Sequence, residues 1–156
     1  MAANRIRVAK DKAELVKSLV ASKDTTGPFQ TYVEVIVFAA ALGVRYKKRI
    51  ALGETTKREP SPIPQENFAS LGYELIIKLL AINETQDIEI IASREDLYED
   101  KRTEIFEEYA NGGLDILEKE LRGAVDYSER ILLFLISEKY TQETLEEDFN
   151  LSKFLN

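Results

Sequence analysis

The feature that most constrains the fold is an apolar run from residue 33 to residue 42, in which Glu34 is the single charged residue. The run contains three consecutive alanines and is followed by Gly43. Its β-branched first half also fits a buried strand, but alanine favours a helix and glycine commonly follows the last helical turn. We therefore predict a helix over about residues 29–42. Because this helix is apolar nearly all round, it should lie at the centre of the core.

Five further segments place apolar residues three and four positions apart, which is the spacing of one helix face. Two adjacent glycines, Gly112 and Gly113, are expected to end one of these helices and to let the next pack back as an α-hairpin. The predicted fold class is all-α: a single compact domain of five to seven helices over residues 1–140, followed by an acidic tail over residues 141–156. The five segments are 10–22, 64–82, 93–111, 114–121 and 127–140.

The least regular stretch, about residues 44–64, is predicted to be one long proline-containing basic loop. Prolines at positions 60, 62 and 64 exclude a helix there. Basic side chains in such a loop can neutralise DNA phosphates, and Tyr46 could stack on a base or hold the loop down. A solvated loop, or one paired with the chain's own carboxylates, is the alternative. The candidate nucleic-acid-binding residues are Arg45, Lys47, Lys48, Arg49, Lys57 and Arg58.

The charge of the chain is divided unevenly along its length. The net charge is -7, but residues 1–58 carry +7 and residues 59–156 carry -14. Such asymmetry indicates contact with a polyanion, docking within the chain or a charged partner. Because an acidic protein is repelled by DNA at long range, any contact with DNA needs a local basic patch.

Residue types that the chain lacks exclude several kinds of chemistry. It has no Cys, His or Trp, so it offers no thiol nucleophile, no His base and no Cys or His ligand for zinc. Paired carboxylates such as Glu107 and Glu108 are expected on solvated helix faces, where they do not converge on a metal ion. We therefore predict a protein without enzymatic activity or cofactor, with a carboxylate metalloenzyme as a remote alternative.

The apolar runs also bear on location. The longest of them, residues 35–42, is far shorter than the roughly 20 residues that a membrane-spanning helix needs. The first twelve residues are polar and lack the apolar segment of a secretory signal. We expect a cytoplasmic protein without membrane contact.

Four segments carry a resemblance to a known family. They are RIRVAKDKAEL (residues 5–15), TTGPFQTYVEVIVFAAALG (25–43), EPSPIPQ (59–65) and IFEEYANGGLDILEKELRGAVDY (105–127). In order and spacing they resemble the dnd system-associated protein 4 family, also described as DNA phosphorothioation-associated proteins. The family is linked to bacterial gene clusters that replace a non-bridging phosphate oxygen of DNA with sulfur, or that restrict DNA lacking this sulfur. The resemblance transfers no catalytic residue.

The resemblance implies an accessory role, because sulfur transfer needs cysteine and iron–sulfur chemistry that a Cys-free chain cannot supply. The first hypothesis is that the protein docks other proteins of the phosphorothioation system. The alternative is weak binding of DNA through the basic loop. The DNA hypothesis requires the six basic side chains to point outward together and to be free of carboxylate partners.

Overall fold

The computed structural model of the chain describes residues 4–23, 26–92 and 94–154, and for residues 143–154 it describes the backbone alone. Seven α-helices lie in this part of the chain, with a short 3-10 turn at Lys10–Lys12 and one two-stranded antiparallel sheet. The all-α prediction is therefore confirmed. In chain order the elements are β1 (Arg5–Ile6), α1 (Ala13–Leu19), α2 (Tyr32–Arg45), β2 (Ile63–Pro64), α3 (Gln65–Ser70), α4 (Glu74–Thr85), α5 (Glu89–Ala92), α6 (Asp96–Glu120) and α7 (Tyr127–Phe154).

The apolar run forms α2, and α2 lies at the centre of the core, as predicted. The helix begins three residues later than expected because Thr31 caps it. The Thr31 hydroxyl accepts a hydrogen bond from the backbone N–H of Glu34 at 3.2 Å, and the Glu34 carboxylate accepts one from the backbone N–H of Gln30 at 2.8 Å. This reciprocal arrangement satisfies free donors at the start of the helix. The buried residues of α2 are Val33, Val35, Ile36, Val37, Ala39, Ala40, Leu42 and Gly43.

The prediction that Gly112 and Gly113 end a helix is wrong, because α6 passes through both without interruption. A Cβ atom on Gly113 would fall on the backbone carbonyl of Ala39, and one on Gly112 would fall on the carbonyl of Lys48. The two glycines therefore allow α6 to approach α2 and the segment after it at backbone distance. They are packing residues in a buried helix, not helix terminators.

Gly43 has the same role on the other side of this contact. It lies inside α2, which continues to Arg45, so Gly43 does not end the helix as expected. A Cβ atom at this position would fall on the backbone carbonyl of Tyr109 in α6. Glycines on both helices thus set the distance between the two central elements of the fold.

The middle of the loop between α2 and β2, residues 50–56, is held by its backbone atoms. The backbone N–H of Ile50 donates to the carbonyl of Glu108 at 3.1 Å, and that of Thr56 donates to the carbonyl of Val8 at 2.9 Å. The buried Asn111 side chain donates to the carbonyls of Ile50 and Ala51, at 3.3 and 3.2 Å. The predicted long loop is therefore an ordered strap across α6.

The last helix, α7, runs on past Tyr140, where the predicted helix stopped. Its side chains at 127, 131 and 134 pack against the core, and Phe134 stacks on Tyr46 with a ring-centroid distance of 6.3 Å. Among residues 4–23, 26–92 and 94–154, no helix is both long and apolar enough to cross a membrane.

Candidate functional site

Two of the six candidate DNA-binding cations are used inside the protein. The Lys48 ammonium pairs with Asp115 of α6. The Arg49 guanidinium bridges two helices, with Nε 2.6 Å from Glu108 of α6 and Nη1 2.8 Å from Glu84 of α4. Both cations are about 30% exposed in their side chains and hold the start of the loop on the helical body.

A partly buried hydrogen bond supports the Arg49 bridge. The Tyr109 hydroxyl donates to the carboxylate of Glu84. Burial, together with this bond, raises the pKa of Tyr109 to about 12. The same bond, with a smaller contribution from Arg49, lowers the pKa of Glu84 below its usual value. Glu84 is therefore held ionised between a phenol and a guanidinium.

The other four candidate cations, Arg45, Lys47, Lys57 and Arg58, are exposed. Among the side chains that the structure describes, none of the four has a carboxylate oxygen within 4 Å. They therefore meet part of the requirement for a DNA contact, because they are accessible and have no carboxylate partner among the described side chains.

These four residues are not gathered into one patch. Arg45 ends α2 and Lys47 follows two residues later. Lys57 and Arg58 lie just before Glu59, whose carboxylate accepts a hydrogen bond at 2.9 Å from the hydroxyl of Tyr32, the first residue of α2. The two pairs therefore sit toward opposite ends of a helix whose length is about 20 Å at 1.5 Å per residue.

Tyr46, expected either to stack on a base or to hold the loop down, is placed for the second role. Its ring lies on Phe134 of α7. Burial, with a hydrogen bond to Glu138 of the same helix, raises the pKa of Tyr46 to about 12. This residue joins the loop to α7 and leaves 39% of its surface exposed.

Three lysines converge on Asp115, a cluster that sequence reasoning missed. Besides Lys48, the carboxylate faces Lys119 at 3.0 Å and the buried Lys12 at 3.9 Å. Lys12 also lies 3.8 Å from Glu118. Hydrogen bonds from Lys48 and then Lys119 lower the pKa of Asp115 to about 2. Sequence spacing indicates only the Asp115–Lys119 pair, which is four residues apart on α6; Lys12 and Lys48 come from the N-terminal segment and the loop.

The low pKa of Asp115 predicts a loss of stability in acid. The folded-state pKa of about 2 lies below the ordinary value of 3.8, so the carboxylate stabilises the fold above pH 4 and this contribution disappears as pH falls toward 2. We expect a decrease of about 2 kcal/mol in the free energy of unfolding across this interval. Urea titrations of wild type and Asp115→Asn at pH 2, 3, 4 and 6 would measure it. Identical pH profiles for the two proteins would contradict the prediction.

The expectation that Glu107 and Glu108 lie on a solvated helix face is wrong. The side chain of Glu107 is 1% exposed, and that of Glu108 is 18% exposed within its ion pair with Arg49. Glu107 accepts hydrogen bonds from the backbone N–H and the Nε of Arg7, both at 2.9 Å, and from Nη2 at 3.2 Å. Burial raises the pKa of Glu107, and the bonds from Arg7 oppose that rise.

The burial of Glu107 could have been predicted from its spacing to apolar residues in the sequence. Residue 107 lies three positions before Ala110 and seven before Leu114, so it belongs to the apolar face of α6 and not to the polar one. The Arg7–Glu107 contact fixes the segment after β1 against α6. In the described part of the chain, no three Asp or Glu side chains converge closely enough to hold a metal ion.

Comparison with known proteins gives one result. A family model described as DNA sulphur modification system-associated protein 4 matches residues 5–154. This match confirms the resemblance drawn from the four sequence segments. No curated protein and no solved structure gives a significant match.

Proposed function

The chain belongs to the DNA sulphur modification system-associated protein 4 family, and from this premise we propose that it is a non-catalytic accessory protein that docks another protein of that system. The observation that carries the proposal is the internal use of Lys48 and Arg49 by Asp115, Glu84 and Glu108. This use removes the middle of the basic run from contact with an external polyanion. Four cations of the run remain exposed, but residues 59–156 carry a net charge of -14, which favours a basic protein partner over DNA.

The non-catalytic part of the proposal is supported by the chemistry of the side chains. The chain has no His and no Cys, so proton transfer and nucleophilic attack would depend on carboxylates, lysines or hydroxyls. Three carboxylates whose pKa departs from the ordinary value, Glu84, Glu107 and Asp115, each hold a cation that ties one segment of the fold to another. We therefore assign these three carboxylates a structural role and not a catalytic one.

Co-purification tests the proposal directly. The tagged chain would be expressed with the other proteins of its DNA sulphur modification system and purified with and without nuclease. We expect at least one system protein to remain bound after nuclease treatment. Loss of every system protein on nuclease treatment would assign the association to DNA, and absence of any system protein in both samples would refute the docking proposal.

A second candidate function, weak DNA binding, is favoured by the exposure of Arg45, Lys47, Lys57 and Arg58. If all four contact phosphates, the logarithm of affinity should fall with the logarithm of salt concentration with a slope of about -3.6. Replacing all four with alanine should weaken binding to every DNA sequence alike and bring the slope close to zero, because phosphate contacts do not read bases. Fluorescence anisotropy against salt would measure both quantities.

The matched control for this titration is Lys101→Ala, which removes an exposed cation from α6. It should leave the slope unchanged. Lys48 and Arg49 are unsuitable for this test, since removing them would break the internal pairs and disturb the loop. Failure of the wild-type protein to bind DNA at about 50 mM salt, where phosphate contacts are strong, would eliminate this candidate.

A further inference from the structure

Four aliphatic side chains of α7, Leu132, Leu133, Leu135 and Ile136, are each between 41 and 58% exposed. The residue in their midst, Phe134, packs against the core. Because successive residues of a helix are about 100° apart, Leu132 and Ile136 lie on the side of α7 opposite Phe134. Leu133 and Leu135 lie at the two edges of that side. The four residues form the α7 outer stripe, a contiguous apolar surface of the kind that marks an interaction site.

The α7 outer stripe is symmetric about position 134. Leu133 and Leu135 each lie one residue from it, and Leu132 and Ile136 each lie two residues from it. When two copies of α7 run antiparallel and cross at this position, a residue before it in one copy lies level with the residue equally far after it in the other. Leu132 of each copy is then level with Ile136 of the other, so the two stripes cover one another.

Two charged residues obey the same symmetry with opposite sign. Glu129 lies five residues before position 134, and Lys139 lies five residues after it. Both are exposed, and helical geometry places both about 40° from the side opposite Phe134, at the two ends of the stripe. In the antiparallel pair, Glu129 of each copy is level with Lys139 of the other, which gives two attractive contacts. A parallel pair would instead bring like charges together.

The net charge of the protein does not prevent this pairing. Residues 127–142 hold two acids and two bases, so this part of α7 is neutral. The body of each copy lies on the Phe134 side of its own helix, and the two bodies therefore lie on the outer sides of the helix pair. At physiological salt the Debye length is about 8 Å, so the repulsion between two chains of charge -7 is largely screened.

We propose that the α7 outer stripe binds a second copy of this chain, as an antiparallel pair of α7 helices that cross at position 134. A second copy supplies both the apolar surface and the matching charges that the stripe requires. The contact is small, so we expect a dissociation constant in the micromolar range. The inference goes beyond the docking function and does not depend on it.

Sedimentation equilibrium tests the pairing, over about 1 to 300 µM protein in about 0.15 M salt. We expect a monomer–dimer equilibrium that Leu132→Gln with Ile136→Gln weakens by about tenfold or more. The control, Leu75→Gln with Leu79→Gln, changes two exposed leucines of α4 and should leave the equilibrium unchanged. All four positions are exposed, so both variants should keep the wild-type circular dichroism spectrum. A wild-type protein that stays monomeric throughout, or a stripe variant that dimerises as wild type does, would overturn the proposal.

Charge reversal tests the antiparallel orientation. Glu129→Lys places a lysine level with Lys139 of the other copy and should weaken dimerisation about fivefold, because two attractive contacts become repulsive. The change also moves the net charge of each chain by two units, from -7 to -5, which by itself would favour association. Asp100→Lys, the same change of charge at an exposed position of α6, should therefore not weaken the dimer.

A second reversal completes this test. Adding Lys139→Glu to the Glu129→Lys variant places opposite charges level again and should restore the wild-type dissociation constant. A Glu129→Lys protein that dimerises as tightly as wild type would overturn the antiparallel pairing. A double variant no tighter than Glu129→Lys alone would also overturn it.

The co-purification experiment identifies the competing occupant of the stripe. If wild type sediments as a monomer and Leu132→Gln with Ile136→Gln loses a system protein that wild type retains, that protein occupies the stripe and the proposal is overturned. If wild type dimerises but retains no system protein, the docking function fails and the pairing stands.

Discussion

Replacing Gly113 with alanine is expected to destabilise the protein by about 3 kcal/mol, although alanine is the better helix former. In an open helix the change would stabilise by about 1 kcal/mol. In α6 the added methyl group would fall on the backbone carbonyl of Ala39, which cannot move without shifting α2. Overpacking of this kind typically costs 1–3 kcal/mol, and the upper end is expected where the obstacle is backbone. Chemical denaturation of wild type and variant measures the difference.

Two further variants make the test specific. Lys101→Ala, at an exposed position of the same helix, should change the free energy of unfolding by less than about 0.5 kcal/mol. Adding Ala39→Gly to the Gly113 variant should not restore stability, because the contact is with the carbonyl of Ala39 and not with its side chain. A Gly113→Ala protein as stable as wild type would show that α2 and α6 are not held at this distance.

The second large effect is expected at the Arg7–Glu107 pair, where Arg7→Ala should cost about 3 kcal/mol, because it leaves a carboxylate whose side chain is 1% exposed without its cation. Glu107→Ala should cost about 1–3 kcal/mol, the range for a buried donor left unsatisfied, because the backbone N–H of Arg7 loses its acceptor while the half-exposed guanidinium can turn to water. Thermal and urea unfolding of both variants would measure the two losses.

Asp100→Ala is the control for this pair, since residue 100 is an exposed carboxylate of the same helix. It should alter stability by less than about 0.5 kcal/mol. A loss below about 1 kcal/mol for either Arg7→Ala or Glu107→Ala would contradict the account of this pair as the anchor of the N-terminal segment.

The helices could be predicted because the spacing of apolar residues that indicates a helix lies within the sequence of that helix. The apolar run of α2 forms the buried helix that its alanines indicated. Its start moved to Tyr32 through the Thr31 cap, and its end moved to Arg45 because Gly43 is a packing residue. Glycine is different, because the same residue ends a helix or admits a neighbouring backbone. Only the approach of Ala39 and Lys48 to Gly113 and Gly112 decides between these roles, and that approach is tertiary.

The candidate site was harder to predict for the same reason. The basic run was visible in the sequence, but its division into paired and exposed cations depends on Glu84, Glu108 and Asp115, which lie 35 to 67 residues further along the chain. Ion pairs between residues so far apart in the chain produce no periodic pattern in the sequence.

The strap across α6 offers a practical means of measurement. Ile50 and Ala51 are held on α6 by their backbone atoms, so a side chain there can be exchanged while those bonds remain. Since the chain contains no cysteine, Ala51→Cys would introduce a single thiol at an exposed position. A fluorophore or spin label on that thiol would report the position of the helical body itself, and distances from it to any bound molecule could be read without removing competing thiols.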